Sequence, residues 1–267
     1  MNRLQQRLDE LADSKRKALI SYVVAGDPDL NTTLSAMQEL VSSGTDIIEL
    51  GVPFSDPSAE GPVIQRAHER ALSNRTGLHQ VFEIVSKFRL TDQETPIVLM
   101  GYANPIEWMG YQKFCVAAVQ AGVDGTLVVD IPPEEADDIN SALTEHNLHN
   151  IFLLAPTTTD KRIKEICRLA TGFLYYVSVK GVTGSGALDV DSVDQKVRAI
   201  RKHTSLPICV GFGIKDASSA AAVSAVADGV VVGSAFVDLL TTNDDKLSGQ
   251  KKVGELARSM REAIDHR

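Results

Sequence analysis

The chain alternates short apolar runs with longer segments in which apolar residues recur at helical spacing. The runs are rich in β-branched residues and do not alternate with polar positions, which is typical of parallel strands buried on both faces. Eight such runs separated by helical segments predict the α/β class and a closed (βα)8 TIM barrel. The count of eight disfavours the alternative, an open doubly wound sheet. The predicted strands span 19–24, 46–50, 97–100, 125–129, 151–154, 173–177, 207–210 and 229–232.

Two extra helices are predicted outside this regular alternation. Leu4, Leu8 and Leu11 precede the first strand at helical spacing, and their apolar face is expected to cover the N-terminal mouth of the barrel. The interval between strands two and three holds two helical patterns, at 63–72 and 81–88, where one would suffice. No linker or repeat interrupts the chain, so we expect a single TIM-barrel domain over 1–267.

Charge and composition narrow the classes of function. The chain has 267 residues, 43% of them hydrophobic, and a formal net charge of −8 without a basic stripe, which argues against nucleic-acid binding. No stretch approaches the roughly 18 apolar residues of a membrane helix, and no secretory signal is visible. Three cysteines far apart in the sequence predict reduced thiols. We therefore expect a soluble, cytoplasmic protein with no membrane partner.

Candidate chemistry is sought at the carboxyl ends of the strands, where barrels of this type carry their active sites. Glu49 lies inside the second apolar run, where an unpaired carboxylate is unfavourable and its pKa should rise toward neutrality. Such a group can transfer protons near pH 7. The alternative is a structural carboxylate bonded to backbone amides. Glu60 follows in a loop rich in Pro and Gly, whose closure could bring a second carboxylate to a substrate.

Glycine turns after the later strands suggest a phosphate site. Gly213 follows strand seven, Gly233 and Ser234 follow strand eight, and Gly184 follows strand six. Loops at these ends commonly hold phosphate through backbone N–H groups, although the same glycines could serve tight turns alone. All six histidines, His68 among them, fall in helices or in loops that enter strands. Neither a histidine base nor a bound metal is therefore expected.

Taken in order along the chain, these residues resemble the tryptophan synthase alpha chain family. The resemblance covers nearly the whole chain, and the block after the second strand is very specific. The matching segments are AGDP at 25–28, ELGVPFSDP at 49–57, GPVIQ at 61–65, NP at 104–105, DIPPEE at 130–135, GVTG at 181–184, GFGI at 211–214 and GS at 233–234.

The resemblance implies a lyase of tryptophan biosynthesis that cleaves indole-3-glycerol phosphate to indole and glyceraldehyde 3-phosphate. Glu49 would be the acid and base that protonates indole C3 and assists removal of the glycerol hydroxyl proton. The family's loop carboxylate is normally an Asp facing the indole N–H, and this chain has Glu60 there. Ser58 also stands where an apolar residue is usual. These departures put the geometry of Glu60 in question more than its role.

The resemblance also assigns binding residues and a partner. Thr183 would help to order the catalytic loop, and the remaining substrate-binding residues would be Tyr22, Met100, Leu127, Tyr175, Gly184, Gly213, Gly233 and Ser234. The partner would be the beta chain of an α2β2 heterotetramer, which carries pyridoxal phosphate and receives indole. No cofactor is expected in this chain. The docking surface would include Pro53, Asp56 and Pro132.

Three other functions remain open from the sequence. A Schiff-base aldolase could use Lys180, which follows strand six. A degenerate alpha chain could act mainly as an activator of its beta chain. A free-standing lyase could release indole without a partner.

Overall fold

The computed structural model describes residues 2–178, 189–211, 213–241 and 246–266. Within these ranges, eight parallel strands close into a barrel in which each strand pairs with the next along the chain and the eighth returns to the first. The predicted (βα)8 TIM barrel is confirmed. The strands are β1 (Ala18–Val24), β2 (Ile47–Gly51), β3 (Ile97–Gly101), β4 (Gly125–Val128), β5 (His149–Leu154), β6 (Leu174–Val177), β7 (Ile208–Gly211) and β8 (Gly229–Val232).

The helices surround this barrel and include both predicted additions, α1 before β1 and a pair, α3 and α4, between β2 and β3. A single 3₁₀ turn at Pro133–Glu135 follows β4. The helices are α1 (Arg3–Asp13), α2 (Leu30–Ser42), α3 (Pro62–Ser73), α4 (Leu78–Arg89), α5 (Ala103–Met109), α6 (Tyr111–Ala121), α7 (Asp137–Glu145), α8 (Asp160–Leu169), α9 (Val190–Arg201), α10 (Ala217–Ser224), α11 (Ser234–Thr241) and α12 (Lys246–Asp265). Among the described helices, none is long and apolar enough to cross a membrane.

The α1 helix closes the N-terminal mouth of the barrel, as its leucine spacing predicts. Leu4, Leu8 and Leu11 are buried in one cluster with inward-facing residues of the strands, such as Ile20 and Ile151. This apolar layer fills the lower half of the barrel and leaves the opposite end for polar groups.

A buried carboxylate connects several elements at the N-terminal end of the barrel. Asp124, 1% exposed, accepts hydrogen bonds from Arg89 Nη2 on α4 at 2.9 Å, from Arg3 Nη1 on α1 at 2.8 Å and from the Ile97 N–H at 2.9 Å. Buried charges are tolerated when they are paired and hydrogen-bonded in this way. One buried carboxylate therefore joins α1, α4 and β3 at the N-terminal end of the barrel.

Candidate active site

A cavity of about 940 Å³ lies at the carboxyl ends of the strands. Its wall brings together residues from distant parts of the chain because parallel strands all end at this face. The sequence-predicted residues that line it are Tyr22, Glu49, Glu60, Met100, Pro132, Tyr175, Gly213, Gly233 and Ser234. Thr183, Gly184 and Lys180 lie outside the described residues.

Glu49 on β2 is a buried carboxylate on the wall of this cavity. It is 1% exposed, and neither carboxylate oxygen has a hydrogen-bond partner among the described residues. Burial raises its pKa to about 8, and the nearby charge of Glu60 adds to the shift. Among the described residues, no backbone amide bonds to this carboxylate, so the alternative of a structural role has no support. A carboxyl group with this pKa can exchange a proton near neutral pH.

Glu60 lies in the loop between β2 and α3 and is held by a residue that the sequence did not indicate. The Tyr102 hydroxyl donates a hydrogen bond to the Glu60 carboxylate and accepts one from the Ala59 N–H at 3.1 Å. The Tyr102 ring stacks on Phe54 with centroids 4.8 Å apart. The pKa of the Glu60 carboxyl is raised by burial, and the hydrogen bond from Tyr102 offsets part of this rise. The sequence feature that could have indicated Tyr102 is its position directly after β3, at the same end of the barrel as Glu49.

Two tyrosines flank Glu49 across the barrel mouth. Tyr22 on β1 is the direct register partner of Glu49, and Tyr175 projects from β6. A methyl group on Gly51 would overlap the Tyr22 hydroxyl, and one on Gly211 would overlap the Tyr175 hydroxyl. Burial raises the pKa of both phenols well above the usual range, so both remain protonated hydrogen-bond donors.

His68 reaches this site from α3, although the sequence placed every histidine away from the strand ends. Its position in a helix is confirmed, but α3 packs against β1 and the 1% exposed side chain is turned toward Tyr22 of that strand. Nδ1 accepts the Phe54 N–H at 3.0 Å, and Nε2 lies 3.3 Å from the Tyr22 hydroxyl. Burial lowers the pKa of His68 to about 4, so the ring is neutral and a poor base.

The opposite side of the cavity suits an anion. Gly233 precedes α11, which begins at Ser234, and Gly213 adopts a positive φ of 79° that favours glycine. Helix N-termini and glycine turns present backbone N–H groups to phosphates. Arg162 is the single cation among the described lining residues, and it pairs with Glu134 at 3.0 Å. A phosphate here would be held mainly by backbone dipoles, and the phosphate site stays a prediction from the sequence.

Leu127 does not line the cavity. It is fully buried in the barrel interior, and Val129, two residues closer to the carboxyl end of the same segment, forms the wall above it. It lies one layer below that wall, in a cluster with Met100 and Tyr175, and its assignment as a substrate-binding residue stays a prediction. Within the described residues, no group of three His, Cys, Asp or Glu side chains could hold a metal ion.

The residues expected to dock a partner lie in the loops after β2 and β4, on the rim at the carboxyl ends of the strands. Asp56 is exposed in the loop after β2, Pro132 is half-buried after β4, and Pro53 is buried. Trp108 on the neighbouring α5 is 86% exposed. The Ala103 N–H at the start of α5 donates to Asp130 at 2.7 Å, which joins this helix to the segment that carries Pro132.

Known proteins match this chain over its full length. A family model described as "Tryptophan synthase alpha chain" matches residues 8–265. The curated relative of that name from Thioalkalivibrio sulfidiphilus is 56% identical over 266 residues, covering 99% of this chain and 100% of the relative. A crystal structure of tryptophan synthase subunit alpha from Legionella pneumophila aligns with a TM-score of 0.94 at 45% identity, covering 100% of both chains. One chain of tryptophan synthase from M. tuberculosis, in its open form, gives 0.88 at 32% identity and 99% coverage of both.

Proposed function

The chain belongs to the tryptophan synthase alpha chain family, and we propose that Glu49 and Glu60 are the residues with which it cleaves indole-3-glycerol phosphate. It is a carbon–carbon lyase of tryptophan biosynthesis that forms indole and glyceraldehyde 3-phosphate. The observation that carries the assignment is Glu49, a buried carboxylate on the cavity wall whose pKa is raised to about 8.

Glu49 serves as both acid and base in the proposed mechanism. Its carboxylic acid is the predominant form at pH 7 and delivers a proton to C3 of the indole ring. The carboxylate that results accepts the proton of the neighbouring glycerol hydroxyl. The carbon–carbon bond then breaks, its electrons return to the indole ring, and the hydroxyl oxygen becomes the aldehyde oxygen. A group with a pKa near the working pH suits both transfers.

Glu60 accepts a hydrogen bond from the indole N–H as positive charge develops on the protonated ring. Tyr102 fixes its carboxylate at the cavity rim. The indole ring lies between Met100 and Tyr175, and the phosphate lies at Gly213, Gly233 and Ser234. Thr183 and Gly184 belong to this proposal through the family pattern.

Replacing Tyr102 by Phe will lower kcat for indole formation about 10-fold, because Glu60 loses the hydrogen bond that orients its carboxylate. The ring stack on Phe54 is retained, so the loop keeps its course. Steady-state indole release with the beta chain bound measures the effect. Tyr111→Phe, which removes a phenol hydroxyl that bonds Glu107 at the surface, is the matched control. Equal activity of the two variants would contradict the role given to Tyr102.

The partner is the tryptophan synthase beta chain, with which the family forms an α2β2 heterotetramer and which carries pyridoxal phosphate. We place the docking surface on the rim that holds Asp56 and Pro132, with buried Pro53 fixing the course of the loop. Trp108 extends this surface, and exposed aromatic residues of this kind commonly anchor interfaces.

Docking on this rim will shift the fluorescence of Trp108, the chain's only tryptophan, to shorter wavelength as the indole leaves water. The same titration with Trp108→Phe supplies the contribution of the beta chain alone. Trp108→Ala is expected to weaken the complex about 10-fold. Unchanged emission together with an unchanged Kd would remove α5 from the docking surface.

Indole release from indole-3-glycerol phosphate, by the purified chain alone and with a beta chain, tests the proposed function. Slow release that rises sharply with the partner is the expected result. No release in either condition would favour the degenerate activator. Borohydride trapping with substrate would label Lys180 only if the chain were a Schiff-base aldolase.

A single domain over 1–267 and a cytoplasmic location complete the proposal. The pairing of β1 with β8 joins both ends of the chain in one barrel. Cys115, Cys167 and Cys209 are free thiols, which suits a reducing compartment.

A further inference from the structure

We infer that His68 is a positioning residue for the cleavage reaction: it orients the Tyr22 hydroxyl to donate a hydrogen bond to the substrate oxygen that becomes the aldehyde oxygen. This inference rests on the proposed function, because it takes the glycerol chain to run from the Gly233 turn toward Glu49.

The hydrogen bonds of His68 fix where its proton lies. Nδ1 accepts the backbone N–H of Phe54 at 3.0 Å, so in a neutral ring the proton is on Nε2. Burial lowers the pKa of the ring to about 4 and keeps it neutral at working pH. Nε2–H therefore donates to the Tyr22 oxygen, which lies 3.3 Å away.

The proton of the Tyr22 hydroxyl is consequently left for another acceptor. The oxygen already receives the His68 hydrogen, and no acceptor for its own proton is found among the described residues. Tyr22 lines the cavity and is buried, so water does not compete freely for this donor. A buried donor without an acceptor is unfavourable, and a substrate oxygen would satisfy it.

The position of the Tyr22 ring identifies which oxygen this is. The ring lies beside the Gly233 turn, where a methyl group on Gly233 would be 3.3 Å from Tyr22 Cδ1. In the other direction Tyr22 is the register partner of Glu49. A three-carbon chain that joins a phosphate at Gly233 to a reacting carbon at Glu49 must pass this residue. Of the two hydroxyl groups on that chain, we assign the bond to the one on the reacting carbon, because the hydroxyl end of Tyr22 lies over Gly51, on the same strand as Glu49.

The hydrogen bond would set the geometry of the proton transfer. The substrate hydroxyl accepts from Tyr22 and so turns its own proton toward the Glu49 carboxylate. Tyr22 neither gains nor loses a proton during cleavage. His68 acts only through Tyr22, which makes the two side chains one functional unit.

A double-mutant cycle with the beta chain bound tests this unit. His68→Asn keeps an oxygen close to the Nδ1 position, so the bond from Phe54 is retained and only the donor to Tyr22 is lost. His68→Gln can retain a donor near the Nε2 position. We expect His68→Asn and Tyr22→Phe each to lower kcat about 10-fold with little change in KM. The double variant should be no slower than Tyr22→Phe, and His68→Gln should stay within about 3-fold of wild type.

Losses that multiply in the double variant would show that His68 does not act through Tyr22 and would overturn the inference. An unchanged kcat in Tyr22→Phe would also overturn the inference. So would a pH profile of kcat that is displaced along the pH axis in Tyr22→Phe while its maximum is unchanged, because this would show that the Tyr22 hydroxyl bonds to Glu49 and not to the substrate. His149→Asn, a half-buried histidine at the N-terminal end of the barrel, is the control. An inactive Glu49→Gln beside an unaffected Tyr22→Phe would refute this inference while leaving the proposed function intact.

Discussion

Glu49→Gln will lower kcat for indole release by about 10³-fold or more, within the range associated with loss of a general acid and base. Glutamine has nearly the same volume and fits the site on β2, but it cannot deliver a proton to the indole ring or accept one from the glycerol hydroxyl. The phosphate side of the cavity, at Gly233 and Ser234, is untouched by the change. Binding of glyceraldehyde 3-phosphate should therefore change less than about 3-fold.

The kinetic measurement is single-turnover indole formation with the beta chain bound, which isolates the chemical step from product release. Glu69→Gln, the same change at an exposed position on α3, should retain wild-type activity. A Glu49→Gln enzyme that cleaves substrate at a rate near wild type would exclude Glu49 as the acid and base.

The same substitution will remove a pH-dependent contribution to stability. Because the folded-state pKa of Glu49 is raised from 4.5 to about 8, the folded state holds a proton that the unfolded chain releases between these values. The free energy of unfolding of wild type therefore falls as pH rises through this window and levels off above about pH 8. At roughly 1.4 kcal/mol per pH unit, the loss attributable to Glu49 is about 5 kcal/mol.

Glu49→Gln has no proton to lose, so its stability lacks this contribution. Urea unfolding of the isolated chain at several pH values between 4.5 and 9 should give free energies of unfolding that diverge up to about pH 8 and keep a constant difference above it, with the variant the more stable protein there. Other buried groups, such as Asp27 and His68, titrate in both proteins and cancel in the difference. Parallel curves would mean that the carboxylate of Glu49 is solvated in the folded state.

The barrel could be predicted closely because strands buried on both faces leave an unbroken apolar signal. β8 was predicted at its observed bounds, and β3 was placed within one residue. Glu49 was identifiable for the converse reason, since a carboxylate inside such an apolar run is unfavourable unless it is paired or has a chemical role. Both inferences depend only on residues that are adjacent in the sequence.

The contributions of His68 and Tyr102 could not be predicted because they depend on how distant elements cross. His68 lies on α3, which packs against Tyr22 and Val24 of β1, and no periodicity shows which strand a helix will contact. The layer in which Leu127 lies depends on the stagger of neighbouring strands, which the sequence does not display. The sequence therefore locates chemistry on strands better than chemistry on helices that cover them.

The two tyrosines that lie over glycines also constrain how this barrel can diverge. At Gly51 and Gly211 the space for a side chain is already occupied by the hydroxyl ends of Tyr22 and Tyr175. An alanine at either position becomes tolerable only after the facing tyrosine has been replaced by a smaller residue. Each pair should therefore change in a fixed order during evolution, the tyrosine first and the glycine second. Among relatives, the identity of one member should restrict the residues found at the other.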